Sequence, residues 1–229
     1  MSLACATCPV RDRAACSVLS EEERDELADR GRHRTLAPGD VLFRAGEKID
    51  TCATLNSGAL KVTSTDAEGD ERILALVHPA GFIGEFFQPF DDHEVVALAP
   101  SQVCIFAGSD IETAMAQHPA LARALLRRAQ EDLHASRALL ALTGKTDAQT
   151  QVAGLILGFA QAASDSPCHP ARSFDLPLSR AECASMLGLT IETVSRKITA
   201  LEKSGVITRN GKRGIELVDP ARLSAIAGS

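Results

Sequence analysis

The sequence predicts an α+β chain made of an N-terminal antiparallel β-roll, one long helix and a C-terminal helix-turn-helix closed by a β-hairpin. Three observations carry this: short strand-like runs broken by glycine turns, a long stretch without internal Gly, and a capped helix pair followed by a hairpin signal. The 229 residues, 45% of them hydrophobic, are enough for two modest domains with real cores. All eight aromatic residues are Phe, so Leu, Val, Ile and Ala must fill those cores, and stacking platforms for single-stranded nucleic acid are not expected.

The roll is read from strand-like runs at 40–44, 53–55, 59–63, 72–77 and 103–106. Turn signals separate them at Pro38-Gly39, Ala45-Gly46, Ser57-Gly58, Glu68-Gly69-Asp70 and Asp91-Asp92. The period then changes. From Pro119 the chain is rich in Ala, Leu and Arg, with a stripe at Leu126, Ala129, Leu133, the small Ser136 and Leu140 stepping alternately by three and four. Two heptads are too few for a free coiled coil, so periodicity alone fits a helix packed on its own domain as well as a dimer seam. A further helix is expected from Thr146 to Ala163, followed by a polar loop to Asp175.

The C-terminal part starts with Ser179, which matches a capping box with Glu182. A Gly188 turn follows, and then an amphipathic helix from about Thr190 to Lys203. Val194, Ile198 and Leu201 face inward, leaving Glu192, Thr193, Ser195, Arg196 and Lys197 outward, residue types that read base edges and hold phosphates. A hairpin around Asn210-Gly211 offers Arg209, Lys212 and Arg213 to a DNA backbone. Charge agrees with this division. Residues 1–146 hold 15 basic and 22 acidic side chains, whereas 147–229 hold 9 and 8, and the stretch 190–213 alone has a net charge of +4. The overall −6 argues against a protein that coats nucleic acid along its whole surface. Together these features make a winged helix-turn-helix, with double-stranded DNA as the expected partner.

Seven cysteines without an export signal or an 18-residue apolar run point to a cytoplasmic protein, with no membrane segment and no disulfide framework. Cys5, Cys8 and Cys16 form C-x2-C-x7-C, a spacing at which thiolates can converge on one soft metal centre. Zinc would suit four cysteines as well. Cys52 and Cys183 read as packing residues and Cys168 as a loop thiol. A thiol oxidoreductase using Cys5 and Cys8 would need a βαβ unit that does not follow, so the chain is read as a non-enzyme.

The glycine-punctuated roll containing GDVLFRAGEKIDTCATLNSGALKV, the long helix and the closing ETVSRKITALEKSGVI resemble the CRP/FNR superfamily of bacterial transcription regulators over nearly the whole chain. Glu192-Thr193-Val194-Ser195-Arg196 is similar to the E-x-x-S-R signature of the FNR branch, whose members read a TTGAT half-site. The resemblance implies that Glu192, Ser195 and Arg196 read bases while Ser179, Arg180, Thr190 and Lys197 hold phosphates. It implies a cyclic-nucleotide-binding-like roll at 21–117 preceded by a cysteine segment at 1–20, a dimerisation helix at 118–145 and the DNA-binding domain at 146–229. Homodimers and contact with RNA polymerase are implied as well.

In this superfamily a G-E-L helix and an R-S-A segment bind cyclic AMP. Here Gly84 and Glu85 are kept, but the arginine is missing and Asp91, Asp92 and Glu94 would repel a phosphate, so no cyclic nucleotide is expected. Cys104 resembles the central cysteine that joins the N-terminal trio of FNR proteins on an oxygen-labile [4Fe–4S] cluster. Cys5, Cys8, Cys16 and Cys104 are therefore the expected ligands, although the second gap is longer here than in the enterobacterial form. Asp132 borders the helix stripe, where two copies would repel and make association marginal. Ser136 stands where relatives carry an acidic residue.

Overall fold

The computed structural model describes residues 5–48, 50–69, 71–84, 93–164 and 169–228 and divides into two compact units, Met1–Ser136 and Arg137–Ser229. Glu85, Asp91, Asp92 and Cys168 lie outside the described residues.

The N-terminal unit begins with two 3-10 turns, Cys5–Thr7 and Ala15–Val18, pinned by buried Val10 and Ala14. Helix α1 (Glu21–Arg30) starts where the Ser20 hydroxyl accepts from Glu23 N–H and the Glu23 carboxylate accepts from Ser20 N–H. The strands are β1 (Arg32–Leu36), β2 (Val41–Phe43), β3 (Thr51–Ser57), β4 (Leu60–Thr65), β5 (Glu71–Val77), β6 (Phe82–Ile83), β7 (Glu94–Ala97) and β8 (Ser101–Ala107). They form two four-stranded sheets, β1-β8-β3-β6 and β2-β7-β4-β5, antiparallel throughout. The expected roll is present. Helices α2 (Gly108–Gln117) and α3 (Pro119–Thr143) follow.

Alternation along β8 sends its side chains into two different cores. Val103 and Ile105 pack with Leu36, Leu55 and Leu60 inside the roll, whereas Cys104 and Phe106 point the other way, against Leu27 of α1, Ile111 of α2 and Leu121 of α3. Neighbouring β3 divides likewise, with Ala53 and Leu55 inside the roll and Cys52 among the helices. A cysteine at an even position of β8 therefore belongs to the helical side.

The second unit contains α4 (Ala148–Ala162), β9 (Ser173–Asp175), α5 (Arg180–Leu187), α6 (Ile191–Lys203), β10 (Ile207–Asn210), β11 (Gly214–Leu217) and α7 (Pro220–Ala227). Helix α4 is buried nearly all round, through Val152, Ala153, Leu155, Ile156 and Phe159 among others. The expected polar loop up to Asp175 contains a strand. β9 extends the β10–β11 hairpin to three strands, with buried Phe174 facing Ile215. One apolar residue between Ser173 and Asp175 gives no alternation to read. Among the described residues no helix is long and apolar enough to cross a membrane.

Candidate metal centre and nucleic-acid interface

Cys5, Cys8, Cys16 and Cys104 line one cavity of about 40 Å³ in the N-terminal unit. The trio is delivered by the first 3-10 turn, the following loop and the second 3-10 turn. Cys104 reaches the same space from β8, 88 residues after Cys16 in sequence. Loop hydrogen bonds fix the approach: Cys8 N–H donates to Cys5 C=O at 3.3 Å, Arg11 N–H to Cys8 C=O at 3.1 Å, and Arg11 Nη2 to Glu21 at 2.6 Å. The remaining walls are mostly apolar, from Leu27, Phe82, Phe106, Ile111, Leu121 and Leu125. No His, Asp or Glu lines it among the described residues, so besides the side-chain oxygens of Thr54 and Asn56 the donors on offer are the four sulfurs. Nor, among those residues, is any group of three Cys, His, Asp or Glu side chains gathered closely enough to hold a single metal ion.

The electrostatics of this cavity depend on burial. Desolvation pushes the Cys104 thiol up to about 12, and the neighbouring thiols add to the shift while Asn56 Nδ2–H, donating to its sulfur at 3.0 Å, opposes it. Cys5 and Cys16 are raised by desolvation and then by adjacent thiols, with Arg24 pulling the other way. Cys52 and Cys183, expected as packing residues, are 0% and 1% exposed. Two polar residues of this wall escaped the sequence reading. Arg24 is 8% exposed and Asn56 3%, and both retain side-chain atoms without a hydrogen-bond partner among the described residues, Nε and Nη1 of Arg24 and Oδ1 of Asn56. A single Arg in an acidic helix and a single Asn in a strand carry no sequence signal of such a role.

In the second unit Thr190 caps α6, its hydroxyl accepting from Thr193 N–H at 3.2 Å, and Val194, Ile198 and Leu201 are buried as expected. Glu192 and Arg196 are exposed, with Thr193, Ser195 and Lys197 half-buried beside them. The backbone of the first turn and the Thr190 hydroxyl hold the Glu192 carboxyl below its ordinary range, so it is an ionised acceptor. Arg196 Nη2 rests on Thr193 Oγ1 at 3.3 Å. Ser179 and Glu182 form the expected capping box on α5, and Gly188 ends that helix at φ +64°, a left-handed conformation that costs glycine little. The three residues between β10 and β11 place Lys212 and Arg213 at an exposed tip. Arg209 differs from its neighbours, because Nε and Nη2 are both engaged by Glu202 at 2.9 and 2.5 Å.

Residues 150–226 match the Crp-like helix-turn-helix domain and residues 33–118 the cyclic nucleotide-binding domain. The chain is 33% identical to the transcriptional activator protein FnrL of Cereibacter sphaeroides over 227 residues, covering 98% of this chain and 92% of that protein. It belongs to the CRP/FNR family of transcription regulators. The fumarate and nitrate reduction regulatory protein of Salmonella typhimurium is 27% identical over 98% of this chain and 90% of its own length. Among solved structures, FixK2 from Bradyrhizobium japonicum has the same fold, with a TM-score of 0.78 at 23% identity over 87% of this chain and 98% of that one.

In this CRP/FNR regulator Leu126, Leu133 and Leu140 of α3 are 62%, 49% and 73% exposed, with Ala129 and Ser136 exposed between them. The stripe is therefore uncovered within the protomer. The adjoining face of the same helix sends Leu121 and Leu125 into the cysteine cavity. Arg128 of α3 also donates to the Arg13 carbonyl, which belongs to the loop between Cys8 and Cys16.

Proposed function

We propose that this protein is an oxygen-responsive transcription regulator. It holds a [4Fe–4S] cluster through Cys5, Cys8, Cys16 and Cys104 and, as a homodimer at low oxygen, binds palindromic TTGAT-type DNA. The observation that carries this reading is that four cysteines from distant parts of the chain line one cavity whose wall includes α3. An all-sulfur donor set around a space, with apolar walls that limit water, suits an iron–sulfur cluster. Bound there, the cluster supplies a centre that oxygen converts or strips.

The residues around it carry the response outward. Leu121 and Leu125 pack at the cavity while Leu126, Ala129, Leu133, Ser136 and Leu140 lie on the free side of the same helix. Arg128 ties that helix to the cysteine loop, so the loop and the stripe share one rigid element. Two stripes pressed together bury three leucines from each copy, against the mutual repulsion of paired Asp132 carboxylates, and this leaves association marginal enough to be switched.

Dimerisation sets two α6 helices one DNA turn apart. Glu192 accepts from a base donor, Arg196 donates to a guanine edge and Ser195 assists. Ser179, Arg180, Thr190, Lys197, Lys212 and Arg213 hold phosphates, and Arg209 is shared with Glu202. RNA polymerase is the further partner, and the relatives' names favour an activator. No cyclic nucleotide takes part in this reading, and the protein acts in the cytoplasm without catalysing a reaction.

The test is iron, sulfide, zinc and visible absorption on protein purified without oxygen, repeated after air, beside binding to a TTGAT palindrome. About four iron and four sulfide per chain, lost in air together with DNA affinity, is the expected result. One zinc and no iron would overturn the cluster reading.

A further inference from the structure

Among the described residues, Arg24 is the one buried cation in the wall of the cysteine cavity. Its Nη2 donates to the Leu19 carbonyl at 2.9 Å, which anchors the guanidinium at the start of α1. Nε and Nη1 are buried in the wall that the four cysteines share, without a partner among the described residues. No carboxylate lines that cavity among those residues. A buried guanidinium with two unpartnered nitrogens is expensive in a protein interior unless an anion accepts their N–H bonds. Four thiolates outweigh the charge of the iron–sulfide core they ligate, so the assembled site is anionic.

We propose that Arg24 is the counter-charge of this site, its free N–H groups donating to cluster or cysteine sulfur and raising the reduction potential of the bound cluster. This rests on the cluster reading above. Arg24 is a positioning and tuning residue rather than a ligand, and it acts through charge and N–H···S bonding, both of which favour the state with one more electron. It also makes the interior electrostatically dependent on the ligand: the same side chain that stabilises the loaded protein burdens the cluster-free one.

The experiment compares wild type, Arg24→Met and Arg24→Lys, each as the full chain purified without oxygen. Iron and sulfide content, the midpoint potential from a mediated dithionite titration, and the thermal midpoint of the cluster-free protein are measured. Arg24→Met should shift the reduced-to-oxidised ratio at fixed potential at least tenfold toward oxidised, about 59 mV for a one-electron couple, with Arg24→Lys recovering most of it. Cluster-free Arg24→Met should melt no lower than wild type, because an unpaired buried charge has been removed.

Wild-type potential in both variants at full iron content would overturn the proposal, as would equal shifts in Met and Lys. If Arg24→Met holds no cluster, Arg24→Lys decides: retention supports the counter-charge, and loss in both reduces Arg24 to the tie on Leu19. Wild type that takes up no iron overturns the cluster reading itself and this proposal with it, a result distinct from a loaded wild type with unchanged variants.

Discussion

Around α6 the polar side chains are largely matched to one another and to the backbone. Thr190 and Ser179 cap their helices, Arg196 rests on Thr193, and Glu202 holds Arg209. Around the cysteine cavity the balance is reversed. Arg24 and Asn56 keep buried polar atoms without partners among the described residues, and burial pushes Cys104 up to about 12. The DNA-reading unit is thus preorganised by local hydrogen bonds, each of modest strength and tolerant of loss. The cavity sets unpaired buried groups against apolar walls, where a single change has a large effect. On the function proposed above, a signal acting on the cavity would exploit this difference, changing the more sensitive unit and leaving the reading surface intact.

Removing a sulfur from the cavity should produce the largest effect. Cys104→Ser replaces a soft donor on the rigid strand β8, and iron per chain after anaerobic purification should fall below a tenth of wild type, while the far-ultraviolet circular dichroism is unchanged. Retention of full iron would remove Cys104 from the donor set. Next comes the stripe on α3. Leu133→Asp should weaken dimerisation at least ~100-fold, since it removes an apolar side chain from each copy and buries a carboxylate in its place. Sedimentation of the cluster-loaded protein reads this directly, and a dimer of unchanged strength would place the seam elsewhere. Arg196→Ala should cost about 1–3 kcal/mol on the cognate palindrome and much less on random DNA, measured by fluorescence anisotropy at one salt concentration. An equal loss on both sequences would make Arg196 a phosphate contact instead of a base reader.

What could be read from the sequence follows the same contrast. The α6 face is set by local periodicity, and Val194, Ile198 and Leu201 at 0–1% exposure lie where a 3.6-residue repeat puts them. The antiparallel roll was legible from its glycine turns. Strand β1 was not, because RHRTL is exposed at four of five positions and offers no alternation, and β6 at two residues is too short to show any period. The cysteine trio announces itself by spacing. Cys104 is joined to the trio by the family resemblance alone, and the physical reason that it shares the cavity, alternation along β8, becomes legible only once the strand's register is known. Arg24 and Asn56 acquire their meaning from three-dimensional proximity alone, and local patterns do not encode it. The Glu202–Arg209 pair joins the end of α6 to the first wing strand, seven residues on, and the net charge of the segment conceals it.

That pair gives the smallest expected effect and the finest test of the preorganised surface. Glu202 is held below the ordinary carboxylate range first by the hydrogen bond from Arg209, and Arg209 is correspondingly raised, so the two form an ion pair at neutral pH. A carboxylate with a depressed folded-state value contributes above its ordinary range, and the contribution is lost as pH falls through the folded value. At neutral pH the pair is intact, with both Arg209 contacts directed at one carboxylate oxygen. Glu202→Gln removes the charge that competes with phosphate while keeping the side-chain length. If Arg209 then reaches the backbone, each protomer gains about one phosphate contact, and the slope of log affinity against log salt should steepen by roughly 0.9 per protomer. The gain in affinity would be greatest at low salt and alike on cognate and random DNA, because phosphate contacts carry no sequence information. An unchanged slope would show that Arg209 braces the wing against α6 and does not touch DNA, leaving Lys212 and Arg213 as the hairpin's phosphate contacts.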